Sequence, residues 1–189
     1  MSAERTEQIL DALERCVVRS GLPGTSLEQI AQEAGMKRSI LRHYVGNRED
    51  IVIAMARRFI ERYRAGLAAM AAWVGEKNHV DRSIECLFAS SDAQGFRDVL
   101  IVESLIAEAG EDQEIRDIVT AVVEETIAVV RDGLRLAYPK ASAKQAWTVA
   151  NGVVGICFNH SSLTPLGLPK RHDEAARRSA RLLIETLGA

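Results

Sequence analysis

Proline is scarce in this 189-residue chain, with four in all, at positions 23, 139, 165 and 169. Proline removes a backbone donor and breaks helices, so its scarcity permits long uninterrupted ones. Cysteine is scarcer. Cys16, Cys86 and Cys157 are odd in number, far apart and in no paired motif, which argues against a disulfide or zinc framework and suits reduced thiols in packed helices. No apolar run is long enough to span a bilayer, and the opening "MSAERTEQIL" carries acids where a secretion signal would carry its apolar core. The expected location is the cytoplasm. Sustained two-residue alternation, internal repeats, a phosphate loop, a dinucleotide fingerprint, HExxH and a nucleophile elbow are all missing, so no enzyme class is indicated and no cofactor or metal is expected. "CFNH" puts Cys157 and His160 one helical turn apart, but two ligands do not make a metal site.

What remains is helical periodicity from end to end. A hydrophobic content of 47% with 26% charged residues describes a globular chain, long enough for one large or two small domains. Ile9, Leu10, Leu13 and Val17 recur at helical spacing over 6–19, and Gly21 ends the run. In "LPGTSLEQ" Pro23 and Gly24 mark a turn, and Thr25 with Glu28, or Ser26 with Gln29, forms a capping-box signature. The next helix spans about 27–34 and stops at Gly35, where a left-handed residue is cheap. Another runs from about 37 or 38 to 44, and Gly46-Asn47 breaks it. A long helix covers 48 to about 74, closing at Trp73 or Val74 before the polar loop "GEKNH". Longer helices follow at 80–91, 94–109, 112–137, 142–161 and 171–187, with Asp112 and Ser142 as N-caps. The expected fold is all-α, about nine helices, with the short ones before residue 48.

Charge is unevenly placed along these helices. Residues 1–64 hold 11 basic against 9 acidic side chains, and 65–189 hold 13 against 17. Between Glu33 and Glu49 there is no acid, yet Lys37, Arg38, Arg42 and Arg48 fall there with His43. Two short helices joined by a Gly-containing turn are a helix-turn-helix. The first buries Ile30, Ala31 and Ala34, and the second is expected to bury Ile40 and Leu41, with Tyr44 packing on the following helix. Lys37, Arg38, Ser39, Arg42 and His43 then lie on a free face suited to guanine edges and phosphates in a major groove. Arg48 opens the long helix, an end that cations avoid unless an anion arrives there.

The segment "TSLEQIAQEAGMKRSILRHYVGNREDIV", residues 25–52, resembles the TetR-like transcriptional regulators: a capped helix, "IA..AG", a turn, a short recognition helix ending in an aromatic, then a basic residue opening a long fourth helix. Arg42 stands where that family commonly has tyrosine, and Val45 where it commonly has phenylalanine. The resemblance implies a DNA-binding part over 1–50, a ligand-binding and dimerisation part over 51–189, and helix 48–74 linking the two. It also implies a repressor that binds a palindromic operator as a homodimer and is released by a small, largely apolar effector. The DNA-contacting set is then Thr25, Ser26, Lys37, Arg38, Ser39, Arg42, His43, Tyr44 and Arg48.

The helix at 142–161 is apolar nearly all round and must be covered on every side. Together with the last helix it is expected to form a four-helix dimer interface, through Ala146, Ala150, Gly152, Val153, Val154, Cys157, Ala176, Ala180, Leu183 and Leu187. Polar groups and aromatics among apolar helices mark a ligand cavity, lined by Tyr63, Phe88, Phe96, Glu103, Thr126, Trp147 and Asn151. The rival reading is a small helical ligand-binding protein or enzyme whose helix-turn-helix is packing alone. The acid-free window favours DNA, since an enzyme has no reason to clear that surface only.

Overall fold

The computed structural model describes residues 2–72, 78–89 and 93–188. Among these there are nine α-helices, one short 3-10 turn and no strand. They are α1 (Ser2–Ser20), α2 (Leu27–Glu33), α3 (Arg38–Val45), α4 (Arg48–Ala72), α5 (His79–Leu87), α6 (Ala93–Glu108), α7 (Gln113–Ala137), α8 (Ala143–Ser162) and α9 (Arg171–Glu185). The expected helix end at Trp73 or Val74, the start of "GEKNH" at Gly75 and the helix end at Ser91 lie outside the described residues. No helix among the described residues is long and apolar enough to cross a membrane.

The chain divides into two compact units. The first comprises Met1–Arg62 and Leu100–Thr120, the second Tyr63–Val99 and Ala121–Ala189. A cut at residue 50 falls inside the first unit, and α4, α6 and α7 each contribute residues to both units.

In the first unit, α1, α2 and α3 pack mutually. Ile9, Leu13, Leu22, Ile30, Leu41, Ile51 and Met55 are almost fully buried there, as are Ile101, Leu105 and Ile115 from the returning segment. Burying such side chains is the main favourable term in folding, about 1.5–3 kcal/mol each. A charged seam joins α1 to α4. Arg58 pairs with Glu7, Asp11 and Glu14 at 2.7–2.9 Å, and Arg62 reaches Glu14 at 2.9 Å.

The second unit has its own core of Leu67, Met70, Ile84, Phe88, Ile127, Val130, Leu134, Val149, Val153, Val154, Ala180 and Ile184. The α8–α9 pairing is its tightest helix packing. At Gly152 an added Cβ would lie 2.5 Å from Leu183 Cδ2, so the missing side chain is what lets α9 close on α8. Arg177 binds α9 to α5 by donating to Glu85 at 2.6 Å and to the Phe88 carbonyl at 2.7 Å, with its guanidinium over the Phe88 ring.

Candidate nucleic-acid interface

Capping fixes where α2 starts. The Ser26 hydroxyl accepts the Gln29 amide at 3.3 Å, and the Gln29 side-chain oxygen accepts the Ser26 amide at 2.7 Å. At the other end Gly35 takes φ +65, and the Met36 amide reaches back to the Ala31 carbonyl at 2.9 Å. That left-handed turn aims the chain at Lys37, the extended residue that opens α3. From α1, Gln8 donates to the Ala34 carbonyl at 3.0 Å and fixes the end of α2.

On α3 only Leu41 is fully buried. Lys37, Arg38, Ser39, Arg42 and His43 are exposed, and Tyr44 is 36% exposed with its ring edge-on to His43 at 5.4 Å between centroids. None of Lys37, Arg38 and Arg42 has an ion pair among the described residues. Ile40 departs from its expected place in the core and is 44% exposed. Leu41 and Val45, four residues apart, define the single inward stripe of so short a helix, and Ile40 sits about 100° round from Leu41. That i, i+4 pair was the signal in the sequence.

The acid that precedes the basic window is paired. Glu33 accepts from Arg15 at 2.7 Å and Arg19 at 3.1 Å, and these guanidiniums hold its carboxyl below the ordinary value. At the other edge Asp50 caps α4. Its carboxylate accepts the Asn47 amide at 2.8 Å, and the Asn47 side chain accepts the Asp50 amide at 2.9 Å.

Two expected contact residues are otherwise engaged. Thr25 is 4% exposed, and its hydroxyl donates to the Gly21 carbonyl at 2.8 Å, closing the turn before α2. Arg48 donates to the Leu22 carbonyl at 2.9 Å and the Thr25 carbonyl at 3.4 Å, and meets Glu108 of α6 at 3.4 Å. Its charge is answered by two carbonyls and a carboxylate of the chain itself, contacts that tie the turn before α2 to the start of α4. The sequence held no signal for this, because Glu108 is 60 residues away.

Of the expected cavity residues, Tyr63, Phe88 and Thr126 lie in the core of the second unit. Tyr63 and Thr126 meet in the second unit, with Thr126 donating to Val122 and hydrogen-bonded to the Tyr63 phenol. Burial, partly offset by that bond, pushes the Tyr63 phenol up. Phe88 is buried in the same core, while Glu103 lies half-buried in the first unit. Phe96, Trp147 and Asn151 are at the surface.

Most of the expected interface residues are covered within the chain itself. Ala146, Ala150, Val153 and Ala180 are 0% exposed and Val154 3%, all covered by the chain's own core, where Leu187 also packs. Cys157, Ala176 and Leu183 are half-buried against that core. The outward stripe of α8 is instead Trp147, Asn151, Gly155 and Asn159, and that of α9 holds Ala175, Ser179 and Leu182. Between them runs a groove of about 570 Å³, lined by Gly152, Gly155, Ile156, Asn159, Ala175 and Ser179 among others.

A capped positioning helix, a left-handed turn and a basic, outward-facing second helix form a helix-turn-helix, the motif in which DNA-binding proteins present a recognition helix. Residues 9–55 match the family model for bacterial regulatory proteins of the tetR family. The HTH-type transcriptional regulator BetI of Burkholderia cenocepacia is 38% identical over 53 residues, 28% of this chain and 27% of that one. The match thus spans about a quarter of the length of the curated relatives. A TetR transcription regulator from Haloarcula marismortui superposes with TM-score 0.81 at 15% identity, covering 97% of this chain and 98% of that one. A protein of Saccharomonospora viridis, solved in complex with choline, gives TM-score 0.81 at 15% identity over 97% and 96%. The reduced form of E. coli NemR gives 0.75 at 18% over 94% and 95%. The shared fold therefore extends over nearly the whole chain, while the sequence match is confined to the helix-turn-helix.

Proposed function

We propose that the protein is a DNA-binding transcriptional repressor, not an enzyme, acting in the cytoplasm as a homodimer on a palindromic operator. A small, largely apolar effector would release it. The observation that carries this reading is the face of α3: Lys37, Arg38, Ser39, Arg42 and His43 exposed together, with no unpaired acid among them. Such a face repels another basic protein surface and matches a polyphosphate groove. Lys37 and Arg38, at the N-terminal end of α3, read base edges. Arg42, His43 and Tyr44 hold phosphates. Ser26 sits exposed where α2 begins, within reach of a phosphate at the same surface.

Residues 1–50 supply the reader, and 51–189 supply effector binding and dimerisation. In the second copy's interface the outward stripe Trp147, Asn151, Gly155 and Asn159 replaces the buried residues first expected there. The small side chains of Gly155, Ala175 and Ser179 permit close backbone approach. The Tyr63–Thr126 pair is the best-supported start of an effector site, being polar and enclosed by apolar side chains. The choline seen in the S. viridis neighbour supports the general idea of a small-molecule site in this fold.

The test is a gel shift against the chain's own upstream DNA at two salt concentrations. With Lys37, Arg38 and Arg42 duplicated in a dimer, affinity should fall on the order of a hundredfold or more between about 50 and 200 mM salt. Salt-insensitive binding, or equal affinity for random duplex throughout, would refute the reading.

A further inference from the structure

Apolar side chains on the outer face of a DNA-facing helix have few possible partners. Ile40 lies in the middle of α3 and is 44% exposed, while its neighbour Leu41 fills the core at 0%. One turn away on either side stand Lys37, His43 and Tyr44, and Ser39 precedes it. Every one of these can hydrogen-bond, and none is acidic. Ile40 is therefore the one aliphatic side chain more than a third exposed on α3, within the basic surface described above.

We propose that Ile40 is a specificity-determining residue that recognises thymine by its 5-methyl group. The inference rests on the DNA-binding reading and deepens it. Base edges in the major groove offer donors, acceptors and one apolar feature, the thymine methyl. An aliphatic side chain gains nothing from the donors and acceptors and desolvates them if pressed against them. Against a methyl it buries apolar area on both sides. Isoleucine is branched at Cβ and holds essentially one χ1 rotamer in a helix, so its methyls are already placed before DNA arrives. Charge decides the occupant: the basic residues around Ile40 would repel a second copy of the same face and attract a phosphate-lined groove. Lys37 and Arg38 then favour guanine, while Ile40 favours thymine.

The experiment first selects duplexes from a random library with the full-length protein. Each thymine of the selected half-site is then replaced in turn by deoxyuridine, which removes only the methyl. At one thymine per half-site, wild-type affinity should fall roughly fourfold, the worth of one buried methyl group. Ile40→Ala should bind the thymine and deoxyuridine duplexes equally, and Ile40→Val should retain part of the difference. Cytosine at that position should gain affinity when 5-methylated for the wild type, and not for Ile40→Ala. Because Ile40 is half in solvent, circular dichroism should show both variants folded. The inference is overturned if the wild type selects a duplex yet no deoxyuridine substitution weakens it. It is equally overturned if Ile40→Ala keeps the same sensitivity at the same thymine. Failure to select any duplex overturns the DNA-binding reading itself, and this inference with it.

Discussion

Arg42 and Arg48 are six residues apart and equally charged, and replacing each with alanine separates the proposed phosphate contact from support of the turn. Arg48→Ala removes donations to the Leu22 and Thr25 carbonyls and the meeting with Glu108. Half-exposed as they are, these contacts should be worth about 1–2 kcal/mol, read as a lower urea midpoint. Arg42→Ala loses no contact within the chain, so its stability should stay within about 0.5 kcal/mol of wild type while duplex affinity drops. Equal stability of the two variants would remove Arg48 from the support of the turn. A second residue-scale prediction concerns Cys157. Burial pushes its thiol up to about 11, and Sγ donates to the Leu87 carbonyl at 2.9 Å. At pH 8 only roughly one chain in a thousand then carries the thiolate, so iodoacetamide should label exposed Cys86 first and Cys157 only after denaturation. The folded value lies above the ordinary one, so the neutral thiol's contribution to stability is full below about pH 8.5 and is lost as pH rises to about 11. The urea midpoint of Cys157→Ala should accordingly vary less over that window than that of the wild type.

Among the elements, turns decide the geometry of the reader. Gly46 adopts φ +77, and a Cβ there would collide with the Asp50 carboxylate that caps α4. Gly46→Ala should cost about 1–3 kcal/mol. Gly35→Ala, also at positive φ but in open space, should cost about 1 kcal/mol. Urea denaturation of the two variants ranks them, and the opposite order would contradict the Asp50 cap. Gly155 is a helix-interior glycine with nothing near its missing side chain. Gly155→Ala should stabilise the isolated helix by about 0.5–1 kcal/mol, yet raise the monomer fraction in analytical ultracentrifugation if a second copy packs on that stripe. These elements were largely legible in the sequence. Of the two capping boxes offered before α2, Ser26 with Gln29 is the one that forms, and Ser142, expected as an N-cap, caps α8 and forms a box with Gln145 besides. Gly35 closes α2 for the reason that only a left-handed residue fits there. Less legible was which way α8 faces. Because it is apolar nearly all round, its sequence pattern singles out no inward face, and which stripe lies outward depended on α9, Leu183 and Gly152 meeting in space. The partners of Arg48 were hidden for the same reason, its answering carboxylate being 60 residues distant.

For the molecule as a whole, the proposed homodimer would place two readers on a two-fold axis, with two chains per operator and a half-site repeat near one turn of duplex. Stoichiometry measured at saturating DNA should therefore be two chains per palindrome, and an isolated half-site should bind far more weakly. If an effector competes with operator, linkage makes the competition mutual: saturating operator should weaken effector binding by the same factor, typically about 5–150-fold. Equal effector affinity with and without operator would disconnect the two activities. The unit that holds the helix-turn-helix is not one continuous stretch, since Leu100–Thr120 completes it with Ile101, Leu105 and Ile115 at 1% exposure. Grafting the reader onto another regulator therefore cannot be done with a single junction. A chimera carrying only residues 1–62 would leave the core around Ile51 and Met55 facing foreign side chains, whereas one that also transplants 100–120 carries its own lining with it. Recombination between relatives would meet the same obstacle, and hybrids surviving selection should exchange both stretches together.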